Sequence, residues 1–391
     1  MDGATSPLEV MARVANDPGG YIGEWRHAGG GKVIAALPMN FPAEIAHAAG
    51  LLPVVVQEDR DPITLGNSVL GQFNCGYTRN LSDQAATGRM AVYDGFFMAD
   101  HCIQLIGAAD VIREMVPGAP FYFGQLMSSL SDPWTTEQVN LTMASFKEEL
   151  EAFAGTGITD DQLSESIRVF NRNRQLLRGV FERRRAGDAR FSSVDLQVMI
   201  TSSMVMQKEE HNELLAALLD ASTATPRDRR IRVHLSGHFC HAPRAELLAL
   251  IEECGGIVVD DDLYHGSRYI SIDVKEEGDP LQALSAAYLD KNVAIPCPTR
   301  AQADVDWDVY LLDAVAASGA EAVISLMAKY CEPHMLYYPQ LKKALEAAGI
   351  PHLLLETEHE GMPLQAFRTR IEAMFERTQR VRADQRAATG P

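Results

Sequence analysis

Twice along the chain, short and fully apolar runs alternate with helix-patterned segments that stop at glycine, and no other feature limits the fold as strongly. Lys32 to Leu37 is apolar and rich in strand formers, Pro42 to Ala49 is helical in pattern with Gly50 as its stop, and Leu51 to Val56 is apolar again. Gly95 to Met98 and Pro120 to Tyr122 continue the series. A strand that is apolar at every position is buried on both faces, as in a parallel sheet covered by crossover helices. Between residues 133 and 222 the strand signals vanish and helix openings replace them: Thr135-Thr136-Glu137 after Pro133, a capping box from Thr159 to Gln162, and Ser192 to Asp195. Ile167, Phe170, Leu177, Val180 and Phe181 lie along the second of these helices. The βα rhythm resumes with strands at Ile231 to Leu235, Ile257 to Val259, Ala322 to Ser325 and Leu353 to Leu355. Helices are expected at Arg244 to Cys254, Lys342 to Gly349 and Leu364 to Val381.

The expected fold is therefore α/β, with two open parallel-sheet domains of Rossmann or flavodoxin type joined by a helical segment. The boundaries fall at an N-terminal helix and loop (1–31), a first α/β domain (32–132), a helical segment (133–228) and a second α/β domain with a C-terminal helix (229–391). The halves show no close internal repeat, but a shared architecture is expected.

Charge narrows the function. The chain carries 53 acidic and 35 basic residues, a net charge of −18. So acidic a protein lacks the basic footprint of a nucleic-acid or acidic-membrane binder. No apolar stretch reaches the ~18 residues a membrane helix needs; the best, Tyr310 to Ala328, is broken by Asp313 and Glu321. Met1 onward shows no basic segment leading into an apolar one, so a cytoplasmic location is expected. Gly29-Gly30-Gly31-Lys32 is not a phosphate loop, because Val33 stands where Ser or Thr belongs and the glycines precede a strand. The run Arg183-Arg184-Arg185 reads as a solvated helix end.

The six cysteines are too few for a disulfide scaffold, and in a reducing compartment they are free thiols or metal ligands. Cys254 and Cys297 read as packing or loop residues. Cys240, in Gly237-His238-Phe239-Cys240-His241, has a spacing that fits no common zinc pattern. Cys102 and Cys331 lie just past the carboxyl ends of expected strands, the edge at which open α/β sheets bind ligands. Cys75 follows a glycine-containing stretch in Phe73-Asn74-Cys75-Gly76-Tyr77-Thr78-Arg79. Their wide spacing is not a ferredoxin-type run, so spacing leaves both packing and a shared metal site open.

At these residues the chain resembles the benzoyl-CoA reductase/2-hydroxyacyl-CoA dehydratase family, over most of its length. The likeness rests on Cys75 followed by Arg79, on Asp94-Gly95 leading to Cys102, on Asp261-Asp262-Leu263 with Gly266-Ser267-Arg268-Tyr269, and on Ile295-Pro296-Cys297-Pro298. Its most specific block is Lys329-Tyr330-Cys331-Glu332-Pro333-His334 running into Tyr338-Pro339-Gln340-Leu341-Lys342, with Ile350-Pro351 beyond. His101 before Cys102 departs from some relatives. The resemblance implies a 4Fe–4S cluster held by Cys75, Cys102 and Cys331, and low-potential electrons delivered to a CoA thioester. Length and the sequence around Cys75 look more like a smaller subunit of the ATP-dependent reductase branch, which turns an aromatic acyl-CoA into a cyclic dienoyl-CoA. The alternatives are the radical dehydratase branch and a non-catalytic electron-transfer subunit. ATP would be hydrolysed by a partner. The implied partners are a homologous iron–sulfur sister subunit, ATPase activator subunits with their own cluster, and a ferredoxin as upstream donor. His334 and His101 are candidate proton donors or hydrogen-bond partners of a cluster sulfur; each is equally readable as a capping or core histidine, and His238 and His241 are weaker candidates. Arg79, Arg268 and Lys329 are candidate CoA-phosphate partners, or structural ion-pair residues. The loops carrying the cysteines are expected to be buried.

Overall fold

In the computed structural model, which describes residues 6–220, 228–303 and 305–389, the apolar runs form two four-stranded sheets. The first holds β1 (Val33–Ala36), β2 (Leu52–Val55), β3 (Gly95–Ala99) and β4 (Phe121–Gly124) in the order β2-β1-β3-β4. The second holds β5 (Ile231–Gly237), β6 (Gly256–Asp261), β7 (Ala322–Ala328) and β8 (His352–Thr357) in the order β6-β5-β7-β8. Every pairing in both is parallel. The shared architecture is thus one strand order used twice. The central strands β1, β3 and β7 are buried at every residue, whereas the edge strands β4 and β8 are partly open, as the apolar runs require.

Helices α1 (Pro7–Asn16) and α2 (Pro18–His27) precede β1. α3 (Ala43–Ala48) links β1 to β2, α4 (Gly66–Val69) and α5 (Gly76–Ala86) lie between β2 and β3, and α6 (Ile103–Met115) links β3 to β4. The strandless stretch is α7 (Thr135–Ala154), α8 (Asp160–Arg185), α9 (Ser193–Ser203) and α10 (Lys208–Asp220). The second sheet carries α11 (Ala245–Glu253), α12 (Pro280–Ala294), α13 (Trp307–Ser318), α14 (Glu332–Ala347) and α15 (Leu364–Thr389). The capping box of Thr159 and Gln162 opens α8, and Ile167, Phe170, Leu177, Val180 and Phe181 are all buried along it. α12 packs with α7 and β3: Leu284 and Tyr288 share one apolar cluster with Phe97, Val139 and Phe146.

The structure corrects three expectations. Residues 18–27 are a helix, not a loop: Asp17 closes α1 and caps α2 by accepting from Gly20 N–H, and Pro18 sits in the first turn, where a missing N–H costs nothing. The arginine run at the end of α8 is not a solvated end. Arg184 is buried and donates to the Val258 carbonyl (2.9 Å) and Glu252 (2.7 Å), while Arg185 pairs with Asp260. These arginines meet carbonyl and carboxylate groups around β6, so their charge is used for docking the helical segment. α14 begins at Glu332, ten residues before the expected start, with Pro339 inside it.

Chain packing around the second sheet depends on buried charge. Asp262 accepts from Ser236 Oγ (2.7 Å), Gly237 N–H (2.7 Å) and Trp307 Nε1 (2.9 Å). His234 in β5 lies 3.3 Å from Asp260 and 3.8 Å from Asp262. Burial opposes charge on His234, but the two carboxylates outweigh it and lift it to about 9. A histidine raised on folding contributes stability that is complete below its ordinary value near 6.5 and lost as pH rises through about 9. The melting temperature is therefore expected to fall over that window, and His234→Gln to lower it at pH 6.5 while flattening the slope; a slope unchanged in the variant, followed by calorimetry, would discount this histidine.

Candidate functional site

Three cysteines end up at helix starts. Cys75 caps α5, Cys102 caps α6 and Cys331 caps α14, and none of the three side chains makes a capping hydrogen bond. A sulfur at that position faces unpaired N–H groups and the positive end of the helix dipole, which favours a thiolate. Cys102 and Cys331 follow the carboxyl ends of β3 and β7, the central strands of their sheets, where the strand order reverses.

Gln104, in the first turn of α6, draws the three loops together. Its side-chain oxygen accepts from Cys75 N–H (2.7 Å) and its amide nitrogen donates to the Tyr330 carbonyl (2.7 Å). One carboxamide on the Cys102 helix thus holds the backbone of Cys75 and of the residue before Cys331. Arg79 adds a second tie from the first sheet's side, donating to Asn74 O (3.0 Å), Asn67 Oδ1 (3.2 Å) and Glu358 Oε1 (2.5 Å). Gly76 is needed here, since a Cβ would lie 2.8 Å from the His359 Cβ.

The thiols lie within electrostatic reach of one another: Cys75 acts on Cys102 and Cys331, and Cys102 on Cys331. Burial pushes Cys102 up to about 12, with Cys75 adding to it, and raises Cys331 further. Burial also raises Cys75, but a hydrogen bond from His241 and contact with Thr78 (3.5 Å) overcome it and leave the thiol below its usual range. His241 is raised to about 10: burial opposes the charge, and Glu58 (3.0 Å) together with Cys75 stabilises it. Glu58 also binds His359 Nδ1 (2.6 Å). Cys240 and Cys297 join the same region, for Cys240 feels Cys102, Cys75, Cys331 and Cys297. Cys254 stays apart beside Arg368 (3.9 Å). All six cysteines are free.

Cys75 is buried, while Cys102 and Cys331 are half-buried. His101 and His334 are buried; His101 contacts Thr299 Oγ1 (3.1 Å), and Thr299 contacts Cys297 Sγ (3.1 Å). Burial lowers His101 to about 3 and His334 to about 4, so both are neutral imidazoles. His334 lies among Phe239, Trp307 and Tyr338, and neither ring nitrogen has a hydrogen-bond partner. Arg268 is buried, donating to Asp262 O, Ile295 O and Pro296 O, and it fixes the loop that carries Cys297. Lys329 is half-exposed, 3.9 Å from Glu358. His238 meets Thr357 Oγ1 (2.8 Å).

Strain gathers at this edge. Among the described residues, the non-glycine positions of positive φ are Met39 (73°), Asn40 (60°), His238 (43°) and Tyr330 (66°). They follow β1, β5 and β7, all at carboxyl ends. Such backbones persist where the surroundings over-determine them, and they cluster at functional sites.

Among the described residues, no three His, Cys, Asp or Glu side chains are arranged to hold a single metal ion. Cys75, Cys102 and Cys331 are no exception; they share one region as free thiols without capping hydrogen bonds, and soft sulfur of this kind suits an iron–sulfur cluster more than a hard cation. Gln104 and the Glu58–His241–His359 group were invisible in the sequence. Cys240, however, sits past the end of β5 just as Cys331 sits past β7, and the same positional rule would have found it.

The fold and site define a twin parallel-sheet protein with a thiol cluster where strand ends meet helix starts. A family model described as 2-hydroxyglutaryl-CoA dehydratase, D-component, matches residues 38–378, and the chain belongs to this family. It is an enzyme subunit of that kind. It is 29% identical to a benzoyl-CoA reductase subunit of Thauera aromatica over 88% of this chain and 90% of that one. It is 25% identical to the (R)-phenyllactyl-CoA dehydratase beta subunit of Clostridium sporogenes (93% and 96% covered) and 24% to the beta subunit of (R)-2-hydroxyglutaryl-CoA dehydratase of Acidaminococcus fermentans (94% and 98%). No helix among the described residues is long and apolar enough to cross a membrane.

Gln104→Leu keeps the size of the side chain and leaves the buried Cys75 N–H and the part-buried Tyr330 C=O without partners. Its expected cost is about 2–4 kcal/mol of unfolding free energy, measured by urea denaturation, with faster hydrogen exchange at Cys75. Wild-type exchange there would show that Gln104 is not the tie.

Proposed function

We propose that this chain is the iron–sulfur subunit of an ATP-dependent reductase of an aromatic CoA thioester, with a 4Fe–4S cluster held by Cys75, Cys102 and Cys331. The observation that carries the reading is the convergence of three uncapped helix-start thiols tied by Gln104. The likeness to a benzoyl-CoA reductase subunit supports the reductase branch. When bound, such a cluster supplies a low-potential electron for the thioester.

The residues around it have separable tasks. The helix starts offer N–H groups and positive dipole ends to a negatively charged cluster. His241, charged and held by Glu58, keeps a proton beside the Cys75 sulfur. His101 and His334 stay neutral and carry a proton on one ring nitrogen each. The apolar surroundings of Trp307 and Phe239 exclude water from the His334 side. The chain has no phosphate loop, so ATP is hydrolysed by an activator subunit, and a homologous sister subunit and a ferredoxin complete the electron path. Arg79 and Arg268 are committed to protein carbonyl and carboxylate groups, which leaves the half-exposed Lys329 as the better CoA-phosphate partner of the three.

The dehydratase relatives favour a second reading, in which the same electron expels water from a 2-hydroxyacyl-CoA. Anaerobic purification with co-expressed partners is expected to give about four iron and four sulfide per copy of this chain, and ring reduction of benzoyl-CoA with ATP and a strong reductant. Cys331→Ser should cut iron content and bleach the visible absorption. Turnover of a 2-hydroxyacyl-CoA alone would move the assignment to the dehydratase, and absence of iron would remove both readings.

A further inference from the structure

Beside the cysteine region lies a cleft with no assigned role. It has two adjoining lobes, which share Asn40, Phe41, Glu44, Arg174, Tyr269 and Lys291 as walls. Its floor is the carboxyl end of β1, where Met39 and Asn40 both take left-handed backbones. Two adjacent non-glycine residues at positive φ are costly and need a reason.

The polar atoms facing the cleft are donors in want of acceptors. Asn40 is more than nine-tenths buried, yet its Nδ2 has no hydrogen-bond partner. Ser271 Oγ, in the first lobe, is likewise unpartnered. Lys291 makes no ion pair among the described residues, and its ammonium rests 5.8 Å from the centre of the Tyr264 ring. Burial, then Arg174 and Arg268, lower it to about 8, so it stays largely charged at neutral pH. The terminal nitrogens of Arg174 are occupied, with Glu44 (2.7 Å) and Asn171 (2.7 Å) as their acceptors. The remaining walls of the first lobe are apolar or aromatic, among them Val274, Leu284 and Tyr288, while the second lobe adds Lys208 and Asn173, both already hydrogen-bonded to protein groups. Unmet donors over an apolar floor call for an apolar or aromatic body bearing a carbonyl oxygen.

The cleft communicates with the thiols through one wall. The Tyr288 hydroxyl accepts from Arg300 Nε (2.7 Å), and Arg300 donates to the Asp100 carbonyl, two residues before Cys102. Lys291 also lies within electrostatic reach of Cys297.

Resting on the proposed function, we infer that this cleft receives the acyl end of the CoA thioester, with the thioester carbonyl accepting from Asn40 Nδ2 and Lys291 Nζ and the acyl body lying between Phe41, Tyr269 and Tyr288. Both donors then meet the oxygen on which negative charge grows when an electron arrives.

The test uses the complex assembled with its partners under anoxic conditions. Benzoyl-CoA, 2-hydroxyglutaryl-CoA, coenzyme A and benzoate are titrated calorimetrically against wild type, Lys291→Gln and Asn40→Asp. Aspartate keeps the shape and tolerates the left-handed backbone, but replaces the donor with a repelling carboxylate. Each variant is expected to bind the favoured acyl-CoA at least about tenfold more weakly, with coenzyme A affinity and iron content unchanged. Acyl-CoA affinity within about twofold of wild type in both variants, with iron retained, would overturn the cleft assignment and leave the proposed function standing. Benzoate binding as tightly as benzoyl-CoA, and lost in both variants, would assign the cleft to a free acid and overturn the thioester. Failure of wild type to bind either CoA ester would overturn the proposed function, and this inference with it.

Discussion

The two hydrogen bonds of Gln104 are the joint on which the site depends. Cys75 and Cys331 lie 256 positions apart in the chain, on loops of different sheets, and nothing in their local sequence brings them together. A carboxamide can accept on one side and donate on the other, so a single residue at the start of α6 satisfies an N–H of one loop and a C=O of the other. Leaving buried backbone groups of this kind unpaired costs a sizeable fraction of the stability margin of a domain. The hydrogen-bond requirement, more than any attraction between sulfurs, therefore fixes where the thiols stand.

Around that joint the charged residues act mainly on the backbone. Asp262 collects donors from β5 and from Trp307, Asp261 accepts from Leu263 N–H and Ser267 N–H, and Arg268 gathers three carbonyls. Burial raises Asp261 to about 7, with Asp260 adding to it, although the Ser267 and Leu263 amides pull the other way. Gly237 belongs to the same scaffold: at φ 108°, a Cβ there would meet the Leu326 carbonyl oxygen and the His334 ring, each at 2.4 Å. These residues hold the ends of β5 and β7 against the start of α14, and so make the enclosed, strained edge at which His238 and Tyr330 adopt left-handed backbones.

The same logic gives the two halves different roles despite one strand order. The first sheet contributes Cys102 and the unpartnered amide of Asn40, and the second contributes Cys331 with a buried aromatic enclosure around His334. The helical segment closes the space between them, since Arg174 and Lys208 of α8 and α10 line the same cleft that α12 borders with Lys291.

What the amino-acid order determined by itself was local. Uninterrupted apolar runs dictate buried parallel strands, Thr159 and Gln162 dictate the start of α8, and Cys102 and Cys331 fall past strand ends because apolar runs stop there. The pairing of Arg184 with Glu252 and the helix at Pro18 were not legible. An arginine run reads as solvated until a carboxylate from a distant element meets it, and Pro-Gly-Gly reads as a breaker until Asp17 caps it. Which sulfurs share a region, which histidine is charged and where donors lack acceptors depend on groups far apart in sequence. Only the tertiary structure decided those, because hydrogen bonds and charges act through a few ångströms of space whatever the number of residues between them.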